Sequence, residues 1–549
     1  MRPLNTYLFL LILCIAFSRC FTLSTLPPGV GFGNGVIDLG GLLICQIKNF
    51  ATIWTVNEGG PDNVGATFYE PSELPDGFFM LGSYSQSNTN SLPGWVVAGK
   101  DTTNDPSEVI LKSPIDYTLV LNSTSLPINQ DGTAYIWRPM APEGYIAIGN
   151  VITRLPEKPS LDKIRCVRSD FVTIEENGDW IWGSGDSSHS NSLNLYSTVR
   201  EGGSRIEFWV PTGTFLIQGN GSTATSVLYL KNLPGNFSAM PNMAQIQELI
   251  KKYSPVLYFH PDEHFFPSSV SWFFENGGLL YARGQESKPV LIDPTGSNLP
   301  QGGSNDGLYW LDLPIDDASR SKVKRGDLQS AGSYIHIKPT LGGTCTDIAI
   351  WIFYPYNGPA KARVNFINID LGRVGEHVGD WEHVTLRVSN FDGELKSLYF
   401  SQHSKGTWLD ATKVEYQNGN KPVVYSSLHG HAAFPNAGTN LMGNGKIGVR
   451  NDAAKGKMFM DTGINYTIIC ADYLKPLIGE PSWLNYAREW GPKINYDLKD
   501  EINKVTKILP GKLKRKFMGI FSSLPNEVLG EEGPTGPKWK DSWDGNERV

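Results

Sequence analysis

Within "GEHVGDWEHVTLRV", Gly375 to Val388, an imidazole at His377 is followed by carboxylates at Asp380 and Glu382. A ring nitrogen and several carboxylate oxygens near a strand end make a donor set suited to a divalent cation. The same groups can move protons as general acid and base. Read as a strand from Glu382 onward, side-chain alternation puts Glu382, Val384, Leu386 and Val388 on one face and His383, Thr385 and Arg387 on the other. Asp380 shares the apolar face if the strand begins there. An unpaired buried charge is costly, so a cation, an arginine or a proton must neutralise the pair, unless both lie exposed at the strand end. Trp381, between the two acids, is expected on the opposite face as packing.

The histidines are unevenly spread. Of nine, only His189 precedes residue 260, while His260, His264, His336, His377, His383, His403, His429 and His431 all fall between residues 260 and 431. His403 follows an apolar run in "SLYFSQHSKGTW", and His429 and His431 follow another in "PVVYSSLHGHAAFP". All three are candidates to adjoin the acids or to contact a ligand. His260 and Glu263 in "FHPDEHFFP" are candidates for the same neighbourhood, although a polar turn capping a strand is the simpler reading. The chain contains no nucleophile elbow, phosphate loop or His-Glu-x-x-His pattern. A non-enzymatic binding site is therefore the leading expectation. A metal-dependent hydrolase, with His403, His429 or His431 as base beside a metal-bound water, is the minor alternative.

These groups need a rigid β framework, and the composition supplies one. The 549 residues are 40% hydrophobic and 11% aromatic, with 58 Gly and 36 Pro, which fits a mainly β chain with some α and many tight turns. A formal charge of −7 without a long basic tract argues against nucleic acid as a main partner. The start reads as a secretory leader over residues 1–20, with an apolar run from Tyr7 to Phe17 and small residues at Ser18 and Cys20. Beyond it no segment is apolar enough for a membrane span. If the leader is removed, Cys45, Cys166, Cys345 and Cys470 remain, enough for two disulfides or none. Sequons at Asn122, Asn220, Asn236 and Asn465 become glycosylation sites only in the secretory pathway.

A partial repeat marks residues 21–240, expected as an N-terminal β-sandwich-like or pseudo-symmetric β-domain. "YEPSELPDGFFMLGSY" from Tyr69 and "WRPMAPEGYIAIGNV" from Trp137 share a Pro-acid-Gly turn feeding an apolar strand, and "FWVPTGTFLI" from Phe208 is a looser third echo. Residues 241–485 are expected as a β-sandwich domain with peripheral helices, carrying the cation site. It opens with a helix in which Met243, Ile246, Leu249, Ile250 and Tyr253 form a stripe capped by Asn242. Residues 486–549 are expected as C-terminal helices, with stripes from Leu498 to Leu509 and from Leu513 to Leu524, then an ordered tail, "GEEGPTGPKWKDSW", crossing the surface.

"GEHVGDWEHVTLRV" resembles the heptapeptide signature of the necrosis- and ethylene-inducing-peptide-like proteins, Gly-His-Arg-His-Asp-Trp-Glu. His377, Asp380, Trp381 and Glu382 match in register, Gly375 is displaced by one, and Gly379 stands where the second histidine would be. "AIWIFYPYN", "SLYFSQHSKGTW" and "PVVYSSLHGHAAFP" are similar to three further blocks of that family, in the same order. The resemblance implies a divalent cation, calcium or magnesium, held by Asn357, His377, Asp380 and Glu382 and taking part in binding membrane lipid or glycan head groups. Asn357 stands where that family has an aspartate, so the shell would carry one negative charge fewer.

Most of the chain resembles a closer group, the plant proteins related to vacuolar protein sorting-associated protein sixty-two. "LPPGVGFGNGVIDLGGL", "YSPVLYFHPDEHFFPSSVSWFF", "FYPYNGPA", "GDWEHVTLRV" and "SLHGHAAFP" carry that likeness. It implies a role in vacuolar trafficking or scaffolding, with sorting machinery as partner and a cation site that is structural. The expected localisation is the secretory pathway, extracellular or vacuolar, if the leader is cleaved, and otherwise cytoplasmic or peripheral membrane.

Overall fold

The computed structural model describes residues 28–90, 94–176, 178–183, 193–198, 209–218, 226–232, 235–403, 405–475, 477–522, 533–545 and 547. The expected leader, the sequon at Asn220 and the end of the last helical stripe at Leu524 lie outside them.

Between Leu42 and Lys231 the chain runs three times through one six-strand unit. In the first unit Leu42–Ile47, Val96–Asp101 and Phe79–Met80 form one ladder, and Phe50–Thr55, Ala66–Pro71 and Tyr84–Ser87 form another. In the second, Leu111–Lys112, Cys166–Arg168 and Tyr145–Ile146 repeat the first ladder, and Asp116–Asn122, Tyr135–Met140 and Val151–Thr153 the second. Val172–Glu176, Ser226–Lys231 and Trp209–Val210, with Asp179–Gly183, Asn194–Ser197 and Phe215–Gln218, complete the third. The repeat is thus fuller than the sequence pattern indicates, and the weak third echo is a whole unit.

The three units meet at a common centre. Ser83 N–H donates to Asn150 O at 2.8 Å, Asn150 N–H to Phe215 O at 3.2 Å, and Phe215 N–H to Ser83 O at 3.3 Å, a closed ring of backbone hydrogen bonds. The approach requires small residues: a Cβ on Gly149 would stand 2.8 Å from Gly82 Cα. The third unit places Thr214 there instead, and its hydroxyl donates to Ile148 O at 2.8 Å. Each unit feeds the same two cores, one around Leu42, Val167 and Leu230 and one around Phe68, Ile136 and Phe215.

A new pattern starts at Asn242, whose side chain accepts from Gln245 N–H while Gln245 accepts from Asn242 N–H, the reciprocal cap of helix Met243–Tyr253. That helix buries Ile246, Leu249, Ile250 and Tyr253 against a six-stranded sheet ordered Lys405–Asp410, Leu395–Gln402, His377–Ser389, Cys345–Asn357, Ser333–Thr340 and Tyr466–Cys470. Both faces of the two central strands are covered. Ile348, Ile350, Ile352, Val384, Leu386 and Val388 face the helix, and Trp351, Phe353 and Trp381 face Trp483 and Trp490. Alongside lies a four-stranded sheet of Ile367–Asp370, Lys361–Val364, Ile447–Ala453 and Gly438–Asn444. Helices Leu498–Val505 and Gly511–Phe521 close over it through Ile502, Phe517 and Phe521.

The C-terminal tail departs from expectation: it is inserted as a strap rather than laid across the surface. Trp490 N–H donates to Pro534 O at 2.7 Å, and the Trp543 ring stacks on His336 with centroids 3.9 Å apart. Lys338 Nζ donates to Ser542 O at 2.6 Å and to Glu547 Oε1 at 2.8 Å, with both charged side chains buried. Burial of the tryptophan favours this seat, and pairing of Lys338 with Glu547 offsets the cost of taking both charges out of water. Of the disulfide alternatives, none is realised: Cys45, Cys166, Cys345 and Cys470 are buried free thiols. Asn236, in the second described sequon, uses both amide hydrogens internally, on Asp38 O at 2.7 Å and Asn232 Oδ1 at 2.9 Å.

Candidate functional site

Two adjacent antiparallel strands build the site, with Asn357 paired to His377, Tyr354 to Asp380 and Ile352 to Glu382. Strict alternation would keep His377 on the face opposite the acids. Gly379 breaks it. Its φ of +66° turns the chain so that Val378 packs beside Trp381 in the tryptophan core while His377, Asp380 and Glu382 line one pocket. A Cβ on Gly379 would also meet Trp490 O at 2.5 Å. The residue that replaces the signature's second histidine is therefore glycine for two backbone reasons.

The pocket encloses about 60 Å³ and is lined by Asn357, His377, Asp380, Glu382, His403 and Lys540, with Arg450 and Asn451 on a further wall. That is room for an ion with a few waters. Asp380 and Glu382 are 6% and 8% exposed, so neither lies at an open strand end. Glu382 accepts a short hydrogen bond from Ser401 Oγ. Asn357 gives its amide hydrogens to Gly358 O at 3.0 Å and Gly375 O at 2.7 Å, which leaves Oδ1 as its remaining polar atom. Asp380 Oδ2 lies 2.9 Å from His431 Nδ1. Burial pushes the Asp380 carboxyl up, but the His431 hydrogen bond and the charges of His377, His431 and Lys540 outweigh it and hold the group below the usual range. Burial lowers the His377 imidazole, against the pull of Asp380.

The other nominated residues divide. His403, with φ +59°, lies in the pocket wall, its Nε2 3.1 Å from Asn451 Oδ1. His431, at φ +55°, stands behind Asp380, stacked on Tyr354 at 3.8 Å, with Nε2 3.0 Å from Phe265 O. His429, at φ +66°, turns its Nδ1 to Pro359 O at 3.1 Å and is not among the lining residues. Three histidines in the left-handed region mark strained backbone in the loops beside the pocket, although only His403 among them lines it. Glu263 clamps two loops, accepting from His264 and Phe265 N–H at 2.9 Å and from His429 N–H at 2.7 Å. His260 is occupied locally, its Nδ1 accepting from Asp262 N–H at 3.1 Å. Glu263 and His260 are thus loop-shaping groups, not pocket groups.

Lys540 was not legible. "GPKWKDSW" reads as an ordered segment, but nothing in it says that its second lysine reaches the acids. Among the described residues, the group of three ionisable donors whose atoms all come within 4.8 Å of one another is Cys470, Asp472 and Glu480. There Lys475 and Lys538 already pair with Asp472 and Glu480. The pocket's acids and imidazole form a looser set. Two carboxylates, one imidazole and one amide oxygen suit a hard cation whose shell is completed by water.

Residues 15–547 match the profile of a family described as vacuolar protein sorting-associated protein 62. The chain belongs to that family. Vacuolar protein sorting-associated protein 62 of Saccharomyces cerevisiae is 21% identical over 313 residues, 49% of this chain and 65% of the yeast protein. The putative vacuolar protein sorting-associated protein TDA6 of the same yeast is 24% identical over 232 residues, 35% of this chain and 47% of its own length. The chain thus spans less than two thirds of either relative. Among solved structures, non-toxic HaNLP3 protein aligns over 51% of this chain and 92% of its own, at 11% identity and a TM-score of 0.23. At that score no property is transferred from it.

Proposed function

We propose that this member of the vacuolar protein sorting-associated protein 62 family binds a divalent cation, calcium or magnesium, in the pocket and through it a membrane lipid or glycan head group, without turnover. The observation that carries the reading is the convergence of Asn357, His377, Asp380 and Glu382 from two neighbouring strands on one small polar pocket. The acids and imidazole would supply charged and nitrogen donors, Asn357 a neutral oxygen. What a cation adds is an electrophilic anchor for head-group oxygens. The chain's part is to fix the donors on rigid strands and to exclude bulk water. Two nominated bases weigh against hydrolysis: His429 and His431 are committed to Pro359 O, Phe265 O and Asp380.

The test is thermal unfolding with and without calcium or magnesium. The wild-type chain should gain stability on adding either ion, as any ligand of the native state confers. Asp380→Asn with Glu382→Gln should lose that gain. An equal gain in the double variant removes the site. Flotation with anionic and glycolipid vesicles, with and without chelator, then checks the head-group step, and turnover of an ester or phosphodiester that vanishes in the double variant would replace binding by hydrolysis. A second reading, a trafficking or scaffolding role with a structural cation, is favoured by the family and by the three-unit β-domain, which offers a large second surface. It fits association with sorting machinery in the secretory pathway or at the vacuole. Among the described residues no helix is long and apolar enough to cross a membrane.

A further inference from the structure

The C-terminal strap brings a positive charge into the pocket. Pro534 and Lys540 both line it, alongside Asp380, Glu382 and His377. The strap is fixed on either side of Lys540: upstream by Trp490 N–H on Pro534 O, downstream by Trp543 against His336 and Trp351 and by Glu547 on Lys338. Lys540 is thereby delivered to a defined place instead of sampling solvent. Its charge reaches both Asp380 and His377, favouring the carboxylate and disfavouring an imidazolium. Two buried carboxylates on one face need compensation, and an ammonium supplies it in the absence of any ion.

We infer that Lys540 is the pocket's built-in counter-ion and that a divalent cation and Lys540 compete for the two carboxylates, so that this lysine sets the cation affinity. This deepens the cation-binding reading and rests on it only for the competition. An ammonium and a doubly charged ion cannot both approach Asp380 and Glu382 closely, because like charges in a weakly screened pocket repel. Lys540 therefore withdraws when the cation binds, while the Trp543 and Glu547 anchors, outside the pocket, stay seated.

The full chain tests this with four variants: Lys540→Met, Lys540→Arg, Asp380→Asn with Glu382→Gln, and the combination of Lys540→Met with both acid changes. Without divalent ions, Lys540→Met should lower the melting temperature in the wild-type background and have little effect once both acids are neutral. An equal loss in both backgrounds overturns the counter-ion. Calorimetric titration with calcium or magnesium chloride should show Lys540→Met binding about tenfold or more tightly than wild type, the size of an ordinary coupling between sites, with Lys540→Arg close to wild type. Wild-type binding with an unchanged affinity in Lys540→Met overturns the competition. If neither chain takes up either ion, the cation-binding reading falls, and the metal-free comparison by itself upholds or overturns Lys540 as counter-ion.

Discussion

At the scale of single residues, burial decides which histidines keep a proton. His336 is enclosed in the core, with Nδ1 lacking a hydrogen-bond partner among the described residues and the ring stacked on Trp543. Burial above all, then Lys338 and Lys538, holds its imidazole well below the ordinary range. A histidine neutral in the folded state gives its full contribution above the unfolded value of about 6.5, and that contribution is lost as the pH falls from there toward the folded value. The chain should therefore lose stability below about pH 6.5, by up to about 1.4 kcal/mol per pH unit for His336 alone. His336→Phe keeps the stack and removes the titration, so a plot of melting temperature against pH should be shallower for the variant between about pH 6.5 and 5. Equal slopes would show that the ring is not the group that titrates. Gly379 makes the complementary point, since a backbone angle rather than a side chain brings His377 round to the acids.

At the scale of elements, the strap is the unit that completes the sheet. Its pair Lys338–Glu547 is buried, with side chains 9% and 1% exposed, and Thr385 Oγ1 adds a hydrogen bond to Glu547 at 3.1 Å. Removing one member strands the other charge, which costs about 3–5 kcal/mol, whereas replacing both by apolar side chains is close to neutral. Glu547→Leu should thus lower the denaturant midpoint strongly, and Lys338→Met with Glu547→Leu should recover most of it. Similar midpoints for the single and double variants would mean that the pair is not isolated from water. The same comparison read by hydrogen exchange over residues 533–545 reports whether the strap leaves the sheet in the single variant.

At the scale of the whole molecule, two architectures are joined: a threefold repeat whose units meet at Gly82, Gly149 and Thr214, and a layered sheet that holds the pocket. They touch through Asn232 Nδ2 on Gly342 O at 2.7 Å and Gly33 N–H on Asn390 O at 2.8 Å, well away from the acids. A methyl at Gly149 has no room, with Gly82 Cα and Thr214 Cβ each 2.8 Å from it. Gly149→Ala should cost about 1–3 kcal/mol, as overpacking does. Hydrogen exchange should show lost protection confined to residues 28–232, with the 333–470 strands unchanged. Loss spread evenly over both regions would mean that the chain unfolds as one cooperative unit.

The residue sequence by itself determined whatever depends on neighbours along the chain. Alternation put Glu382 on the face of Val384, Leu386 and Val388 and Trp381 opposite, and spacing with Asn242 as cap marked the Met243–Tyr253 helix, because backbone geometry fixes those periods locally. Pro-acid-Gly turns exposed two of the three repeats; the third was faint because its segment lacks the second Pro and the acid of that turn, and Thr214 stands where the others have glycine at the central approach. Tertiary structure alone decided what compensates the acids. Lys540 and His431 arrive from distant segments, Glu263 and His429 turn away to brace loops, and the tail becomes a buried strap. Electrostatic compensation acts through space, so which charge faces which carboxylate follows from how the strands, loops and strap pack, and no local period in the chain encodes it.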